Sequence, residues 1–358
     1  VRLCWDFRLF SFGYGERGVG AYTRAMALAL WHALPRTELC IWAEQDKVPR
    51  EFSLLPATWI PYRKSTWKSD LVTIPFLIKR YGIDIFHYWV ALGPVFRMGM
   101  GLFHPCRTCA TIHDLGVEKI LDDPFCSHVK RTWYWKFQKH LVKRVDTIVC
   151  NSKKTRKEVL ELIHPKQKQI SVIYLPVTGR LSVGKPRLPV FIALAGAPHK
   201  NLKRALQAFT VFRQAHPAFT LTVLGDVEQK ELPETIPPAV VFEGMDKYNQ
   251  HLETSAGLIF CSTYEGLGIP PLEAMAHGCP LVVSNSTVFH ETCENAGRFV
   301  NPFDVKSIAE GMADVADHQH EWVQRSLQGY THYKKMSDTA GSQWGEAYSS
   351  LWNKEYKA

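Results

Sequence analysis

The sequence predicts an α/β protein built from two doubly wound parallel sheets. Three observations predict it. Short apolar runs alternate with amphipathic stretches of helical period. The alternation restarts after a breaker-rich segment at 175–189, which holds Pro176, Gly179, Gly184, Pro186 and Pro189. The 358 residues are enough for two cores. Strand–helix alternation implies parallel strands covered on both faces. No repeat of 20–50 residues and no low-complexity tract interrupts the pattern.

The elements follow in order. The apolar run at 1–7 ends on Asp6 and reads as a strand. Residues 19–34 carry Met26, Ala27 and Leu30 at helical spacing and read as a helix. Strands follow at 38–43, 83–87, 107–112, 146–150 and 169–174, rich in Ile, Val, Cys and aromatic residues. Helices are predicted at 128–143 and 152–163, and residues 99–106 read as a loop. The second half gives strands at 190–195, 219–225, 240–242, 257–261 and 280–284. Its helices are predicted at 200–216, 246–255, 270–277 and 304–317. A last helix at 339–354 sets Trp344, Tyr348 and Leu351 on one side and must pack on something. The predicted domains are 1–176 and 188–338, with 339–358 packing back toward the first. A cleft between two such domains is a natural ligand site, because strand C-termini and helix N-termini line it.

Composition narrows the function classes. At 46% apolar and 22% charged residues, wholesale disorder is excluded. No run of 18 apolar residues predicts a transmembrane helix, and Val1–Asp6 turns polar too quickly for a signal peptide. Nine scattered cysteines predict a reducing compartment rather than a disulfide framework. The one close pair, Cys106-x-x-Cys109, lacks the second pair that a zinc site needs. The net charge of +9 is uneven. Residues 1–180 hold 28 basic and 15 acidic side chains, a surplus of 13, whereas the remainder is acidic by 4. One half is therefore expected to meet an anionic partner: nucleic acid, a membrane face or a phosphorylated substrate.

Four motifs carry chemistry. Gly13-x-Gly15-x-x-Gly18, with Glu44 after the second strand, matches a dinucleotide fingerprint on paper. Alternatively, Gly18-Val19-Gly20 opens the next helix, with bare amides facing an anion, or forms a plain tight turn. His113-Asp114 ends an apolar strand, where His could donate to a substrate oxygen and Asp could fix its tautomer. Lys200-Asn201 follows the Gly196-Ala197-Pro198 turn and starts a helix, so an ammonium and amides converge as at a phosphate site. The most specific motif runs from Glu265 to Glu273. Two carboxylates flank a Gly/Pro loop whose amides, at 267–269, open a helix. That arrangement suits a diphosphate, with Glu265 on sugar hydroxyls and Glu273 on a ribose diol. A paired-carboxylate hydrolase is the competing reading.

From Glu265 through Ser284 the chain resembles glycosyltransferase family 4, the retaining family with the GT-B fold of two Rossmann-like domains. The resemblance covers nearly the whole chain. Glu265–Glu273 looks like the family's E-x7-E motif, and Arg17–Thr23, His113-Asp114, Asn151-Ser152 and Asn301–Asp304 match further features. The branch it resembles is that of bacterial mannosyltransferases of polysaccharide and lipopolysaccharide synthesis. The resemblance implies a metal-independent transfer, with retention, of a hexose from a nucleotide sugar, GDP-mannose being favoured. No Asp-x-Asp triplet occurs.

By that resemblance, His113 contacts the donor sugar near the reacting carbon, and Glu265 its hydroxyls. Lys200 stabilises the departing phosphate charge. The amides of Leu267, Gly268 and Ile269, after Gly266, hold the sugar and diphosphate, and Glu273 holds the ribose. Gly244 and Met245, in Phe242–Met245, lie beside the base. Gly18, Gly20 and Gly196 complete the donor contacts. Two departures stand out. Ala197 replaces a common Arg, leaving His199 as the candidate second phosphate cation, and Tyr174–Val177 replaces a common Asn-Gly.

The basic first half would bind the acceptor. From His128 to Arg144 there are six Lys/Arg and no acid. The stripe Lys136, Lys139, Lys143 flanks an apolar stripe of Val129, Trp133, Phe137 and Leu141. This is either a core helix with a solvated basic side or a surface helix on anionic lipid. Arg63, Lys64, Trp67 and Lys68 form a second basic-aromatic patch. No nucleic-acid reader motif accompanies the charges. The expectation is a transferase at the cytoplasmic face of the membrane, acting on a lipid-linked or oligosaccharide acceptor. A catalytically impaired nucleotide-sugar-binding protein and a Rossmann oxidoreductase are the alternatives.

Overall fold

The computed structural model describes residues 1–15, 18–34, 37–63, 67–92, 99–116, 133–165, 169–177 and 187–352. They divide into two compact units. The first comprises the described residues up to 116, those from 133 to 176 and 337–352; the second comprises 177 and 187–336.

The first unit holds β1 (Arg2–Asp6), β2 (Glu38–Ala43), β3 (Ala57–Pro61), β4 (Ile85–Tyr88), β5 (Arg107–Ile112), β6 (Thr147–Cys150) and β7 (Gln169–Val172). They form one parallel sheet in the order β3-β2-β1-β4-β5-β6-β7. Its helices are α1 (Arg8–Ser11), α2 (Gly18–Ala33), α3 (Arg50–Ser53), α4 (Trp67–Tyr81), α5 (Trp133–Val142) and α6 (Lys153–Ile163). β4 and β6 are buried end to end and β1 from Leu3 onward, as two-sided coverage requires. The Ser152 hydroxyl caps α6 by accepting from the Thr155 N–H at 3.0 Å.

The second unit repeats the plan with β8 (Leu188–Leu194), β9 (Thr220–Leu224), β10 (Val240–Glu243), β11 (Ser255–Phe260), β12 (Leu281–Ser284) and β13 (Gly297–Val300). Its parallel order is β10-β9-β8-β11-β12-β13. Around it lie α7 (Leu202–Ala215), α8 (Tyr248–Thr254), α9 (Ile269–Ala276), α10 (Thr287–Cys293), α11 (Val305–Asp317) and α12 (Gln319–Ser337). Its core joins Phe191, Leu206, Phe209 and Phe212 to Val282, Ile308 and Met312. The last helix, α13 (Ala340–Trp352), belongs to the first unit and packs on α2. The Tyr348 hydroxyl meets His87 Nδ1 at 2.7 Å, and Trp344 lies against Trp89 with ring centroids 5.5 Å apart.

Seven elements escape the sequence reading: β3, β13, α1, α3, α4, α10 and α12. β3 is an edge strand with a half-exposed pattern and β13 has four residues, so neither shows a full apolar run. α4 holds Pro75, which reads as a breaker. α12 is mostly polar around its circumference. The predicted helix at 128–143 is described from Trp133 onward, and its Val129 and Trp133 side chains lie outside the described residues.

One unforeseen feature is a charge network in the first unit. Arg8 is wholly buried and binds Asp6 through two hydrogen bonds of 2.7 Å. It reaches Asp70 of α4 at 2.5 Å and the Gly99 carbonyl at 3.0 Å. Its guanidinium also lies 4.1 Å over the Trp42 ring. Each guanidinium nitrogen thus has an acceptor, as a buried ion pair needs if it is to be tolerated.

Candidate active site: two constellations at strand ends

In the second unit, strand order reverses between β8 and β11, which are neighbours although β9 and β10 intervene in sequence. Chains leaving two such strands diverge and leave a crevice at their C-terminal ends. The segment after β8 is Ala195–Lys200, and the segment after β11 is Cys261–Gly268. The fold therefore brings together residues 65 positions apart.

Lys200 Nζ donates to Glu265 Oε1 at 2.7 Å, and His199 Nε2 stands 3.8 Å from the same oxygen. The Lys200 and Glu265 side chains are only 19% and 13% exposed. The ammonium also sits 4.4 Å over the Phe260 ring. Burial pushes the Glu265 carboxyl upward, but attraction from Lys200 and His199 and the hydrogen bonds it accepts outweigh it, holding it below the usual range. Asn201 locks the turn. It adopts the left-handed conformation, φ 63°, which Asn tolerates well. Its Nδ2 donates to the Cys261 and Pro302 carbonyls at 2.9 and 2.6 Å. The Thr263 N–H donates to the His199 carbonyl at 2.8 Å. Lys200 is thus aimed by a backbone fixed from both sides.

α9 begins beside this pair. Gly268 caps it at φ 81°, where a Cβ would run into the Phe289 ring. Pro270 and Pro271 occupy the next helical positions after Ile269 and bring no N–H. Among the described residues nothing accepts from the N–H groups of Leu267, Gly268 and Ile269. Three open amides at a helix start, next to an ammonium, make an anion site. Glu273 lies one turn into α9, half-buried, and burial raises its carboxyl above the usual range against a hydrogen bond from Tyr248. Gly196 adopts φ 103°. At the end of β10, Asp246 Oδ1 stands 2.5 Å from where a Cβ on Gly244 would lie, so a side chain there would displace that carboxylate. Met245 and Phe242 are exposed there. Glu243 pairs with His251 at 2.8 Å and Lys247 at 3.3 Å.

The first unit supplies the other constellation, again at strand C-termini. His113 follows β5, is buried, and its Nε2 donates to the Trp89 carbonyl at 2.8 Å. A carbonyl only accepts, so the proton sits on Nε2 and Nδ1 carries the lone pair. Burial pushes this imidazole down to about 4. Asp114 does not set the tautomer, as the sequence suggested; its Oδ1 accepts from the Gly116 N–H at 2.8 Å, and Trp89 does that work instead. Tyr22 of α2 meets the His113 ring edge-on at 4.8 Å and donates to the Ile173 carbonyl at 3.0 Å. The glycine motif and the His-Asp motif are therefore joined through Tyr22. α2 starts at Gly18, which is exposed, while Gly20 is buried. A Cβ on Gly20 would collide with the carbonyls of Tyr14 and Gly15. The dinucleotide geometry fails here, because α1 intervenes between β1 and Gly13 where a fingerprint needs a direct strand–turn–helix.

Trp89 and Phe260 are the site residues that motif reading missed, while Tyr22 and Asn201 lay within quoted motifs but were given no role of their own. Trp89 and Phe260 could have been found as aromatic residues at strand ends. Among the described residues, no group of three or more His, Cys, Asp or Glu could hold a metal ion. A hollow of about 460 Å³, lined by Asp84, Cys106, Arg107 and Trp352 among others, opens at the N-terminal ends of β4 and β5. It lies at the end of the sheet opposite His113 and carries none of this chemistry.

Comparison with known proteins agrees with this geometry. Residues 187–318 match the family model described as glycosyl transferases group 1, and residues 17–178 match that of glycosyltransferase family 4. The O-antigen chain mannosyltransferase RfbU of Salmonella typhimurium is 27% identical over 246 residues, 64% of this chain and 69% of that protein. Two solved structures share the fold over nearly the full length. One is sucrose-phosphate synthase from Thermosynechococcus elongatus, with a TM-score of 0.70, 16% identity and coverage of 98% and 99% of the two chains. The other is Anabaena Alr3699/HepE in complex with UDP-glucose, at 0.69 and 14%, with the same coverage. The two matched segments together take in most of the sequence, and the chain belongs to the family 4 type of glycosyltransferases, with two Rossmann-like domains of the GT-B class.

Proposed function

We propose that this glycosyltransferase moves a hexose, with retention and without a metal, from a nucleotide sugar to a lipid-linked or polysaccharide acceptor at the inner face of a bacterial membrane. Mannose from GDP-mannose is the favoured donor, supported by the relative RfbU, whose own name is that of a mannosyltransferase. The observation that carries the reading is the Lys200–Glu265 pair beside the open amides of 267–269.

The donor diphosphate takes those amides and the Lys200 ammonium, and the developing charge on the leaving phosphate is stabilised there. Glu265, released from Lys200 as phosphate replaces it, accepts from sugar hydroxyls. Glu273 takes the ribose diol, whose donated hydrogen bonds favour the charged carboxylate against the burial that raises it. His199 adds a second donor toward phosphate in place of the missing Arg at Ala197. His113, neutral and with Nδ1 open as an acceptor, orients a hydroxyl rather than transferring a proton. Loss of catalysis is the competing reading, prompted by Ala197. The intact Lys200–Glu265 pair favours an active enzyme.

The test has two parts. A thermal-shift screen of nucleotides and nucleotide sugars should show stabilisation by guanine over uracil diphosphates, since a ligand that binds the native state raises its apparent stability. Transfer assays should then lose activity in Glu265→Ala and in Lys200→Ala. Undiminished transfer in both variants would sink these roles.

A further inference from the structure

α4 carries an exposed apolar stripe that the core does not use. Ile74, Leu77 and Ile78 face the core, whereas Val72 is 71% and Phe76 62% exposed. Four-residue spacing sets Lys68, Val72 and Phe76 on one face, with Lys79 and Arg80 at its end. All three cations are exposed. The one acid of the helix, Asp70, points inward and is taken by Arg8.

A proline extends this surface. Pro75 has no N–H, so the Leu71 carbonyl loses its helical partner. The Leu102 N–H fills that vacancy at 3.0 Å. The loop is held closely there, since the Cβ position of Gly101 lies 3.2 Å from both Ile74 Cγ2 and Pro75 Cδ. Leu102 and Phe103, 44% and 56% exposed, are thereby fixed beside the helix. Arg144 donates to the Leu102 carbonyl at 3.0 Å and adds a further exposed cation.

We propose that this surface is a docking face for an anionic lipid bilayer: Val72, Phe76, Leu102 and Phe103 enter the headgroup region, and Lys68, Lys79, Arg80 and Arg144 contact lipid phosphates. Charge complementarity selects this occupant. Apolar side chains flanked by cations, on a helix whose one acid is turned inward, match the interfacial pattern. A second copy would set the same cations against each other. Four side chains also fall short of the roughly 800 Å² per partner that a stable protein interface buries. The inference rests on the membrane-borne acceptor proposed above, but its test does not.

The experiment is co-sedimentation of the full chain with phosphatidylcholine vesicles, with and without phosphatidylglycerol, at two salt concentrations. Wild type should bind the anionic vesicles preferentially and weaken at high salt to a residual affinity carried by the inserted apolar side chains. Phe76→Ser with Phe103→Ser should lower the partition coefficient at least about tenfold. Lys79→Glu with Arg80→Glu should abolish the preference for anionic lipid. Both variants should keep the wild-type Tm and the wild-type affinity for nucleoside diphosphate by calorimetry. Equal binding by wild type and variants, or no lipid preference in wild type, overturns the proposal. So does sedimentation velocity showing self-association that Phe76→Ser with Phe103→Ser removes. Vesicle binding without nucleotide binding would instead remove the transferase reading and leave the docking face standing.

Discussion

Replacing Lys200 by Met tests the centre of the site through stability as well as activity. The pair is 2.7 Å apart and both side chains are mostly out of water. Removing one partner of a buried pair costs about 3–5 kcal/mol, because the other charge is left desolvated. His199 remains 3.8 Å from the same Glu265 oxygen and recovers part of that. Partial exposure recovers more. The expected loss for Lys200→Met is therefore about 2 kcal/mol at neutral pH. Lys200→Met with Glu265→Gln should restore most of it, giving a coupling of at least about 1 kcal/mol in a double-mutant cycle. Urea unfolding at pH 7 measures all four proteins. Acid supplies an independent check. The Glu265 carboxyl is held below its ordinary value of 4.5 in the native state. Its stabilising contribution is then fully present above that value and is lost as the pH falls through the native one. In Lys200→Met this part of the acid dependence should flatten. Additive single effects together with an unchanged acid dependence would refute the pairing as described.

Three further outcomes follow from the same geometry. Burial raises the Glu273 carboxyl, so its charged form costs native stability as the pH rises past its ordinary value; Glu273→Gln should raise Tm at pH 7 while weakening nucleoside diphosphate binding, both read in one thermal-shift titration. His113 stays neutral above about pH 4, so the kcat/KM profile between pH 5 and 8 should keep its shape in His113→Gln while falling in amplitude; a limb near pH 6.5 that the substitution abolishes would contradict this. Gly20→Ala drives a methyl into two backbone carbonyls and should cost about 2 kcal/mol, whereas Gly341→Ala in α13, with nothing within 4 Å of the new methyl, should be neutral or stabilising in the same unfolding assay.

Much of the fold is legible in the sequence because parallel strands buried on both faces leave continuous apolar runs. β2 and β5 fall where those runs put them, at Glu38–Ala43 and Arg107–Ile112. What stays hidden has the opposite character. β3 lies at the sheet edge, where one flank has no neighbouring strand and the apolar run is broken by Thr58 and Pro61. α4 is hidden by Pro75, whose missing hydrogen bond is made good by Leu102, a residue 27 positions away that no local pattern reveals. The site divides in the same way. Lys200 and Glu265 each stand out at a strand end, but their contact follows from the β8–β11 adjacency, a fact of topology. The Asp114 role fails because two neighbouring polar residues on a strand end point to different partners, and the Trp89 carbonyl that orients His113 leaves no mark in the residue type.

The same distinction separates two basic amphipathic segments that look alike in one dimension. In the stretch ending at Arg144, cations alternate with apolar residues at helical spacing. The fold uses that apolar stripe internally: Leu141 is buried and Phe137 packs against the core, while Lys136 and Lys143 are exposed. Among the described side chains of α5, those from Lys136 onward, nothing apolar remains to enter a bilayer, and these offer charge alone. α4 offers both, since its core stripe of Ile74, Leu77 and Ile78 leaves Val72 and Phe76 in solvent. Membrane binding through charge alone scales with surface potential and vanishes with salt, whereas inserted Phe and Leu retain a salt-insensitive part. A residual affinity for anionic vesicles at high salt, present in wild type and absent in Phe76→Ser with Phe103→Ser, is thus the signature that assigns contact to α4 and its loop rather than to the more basic α5.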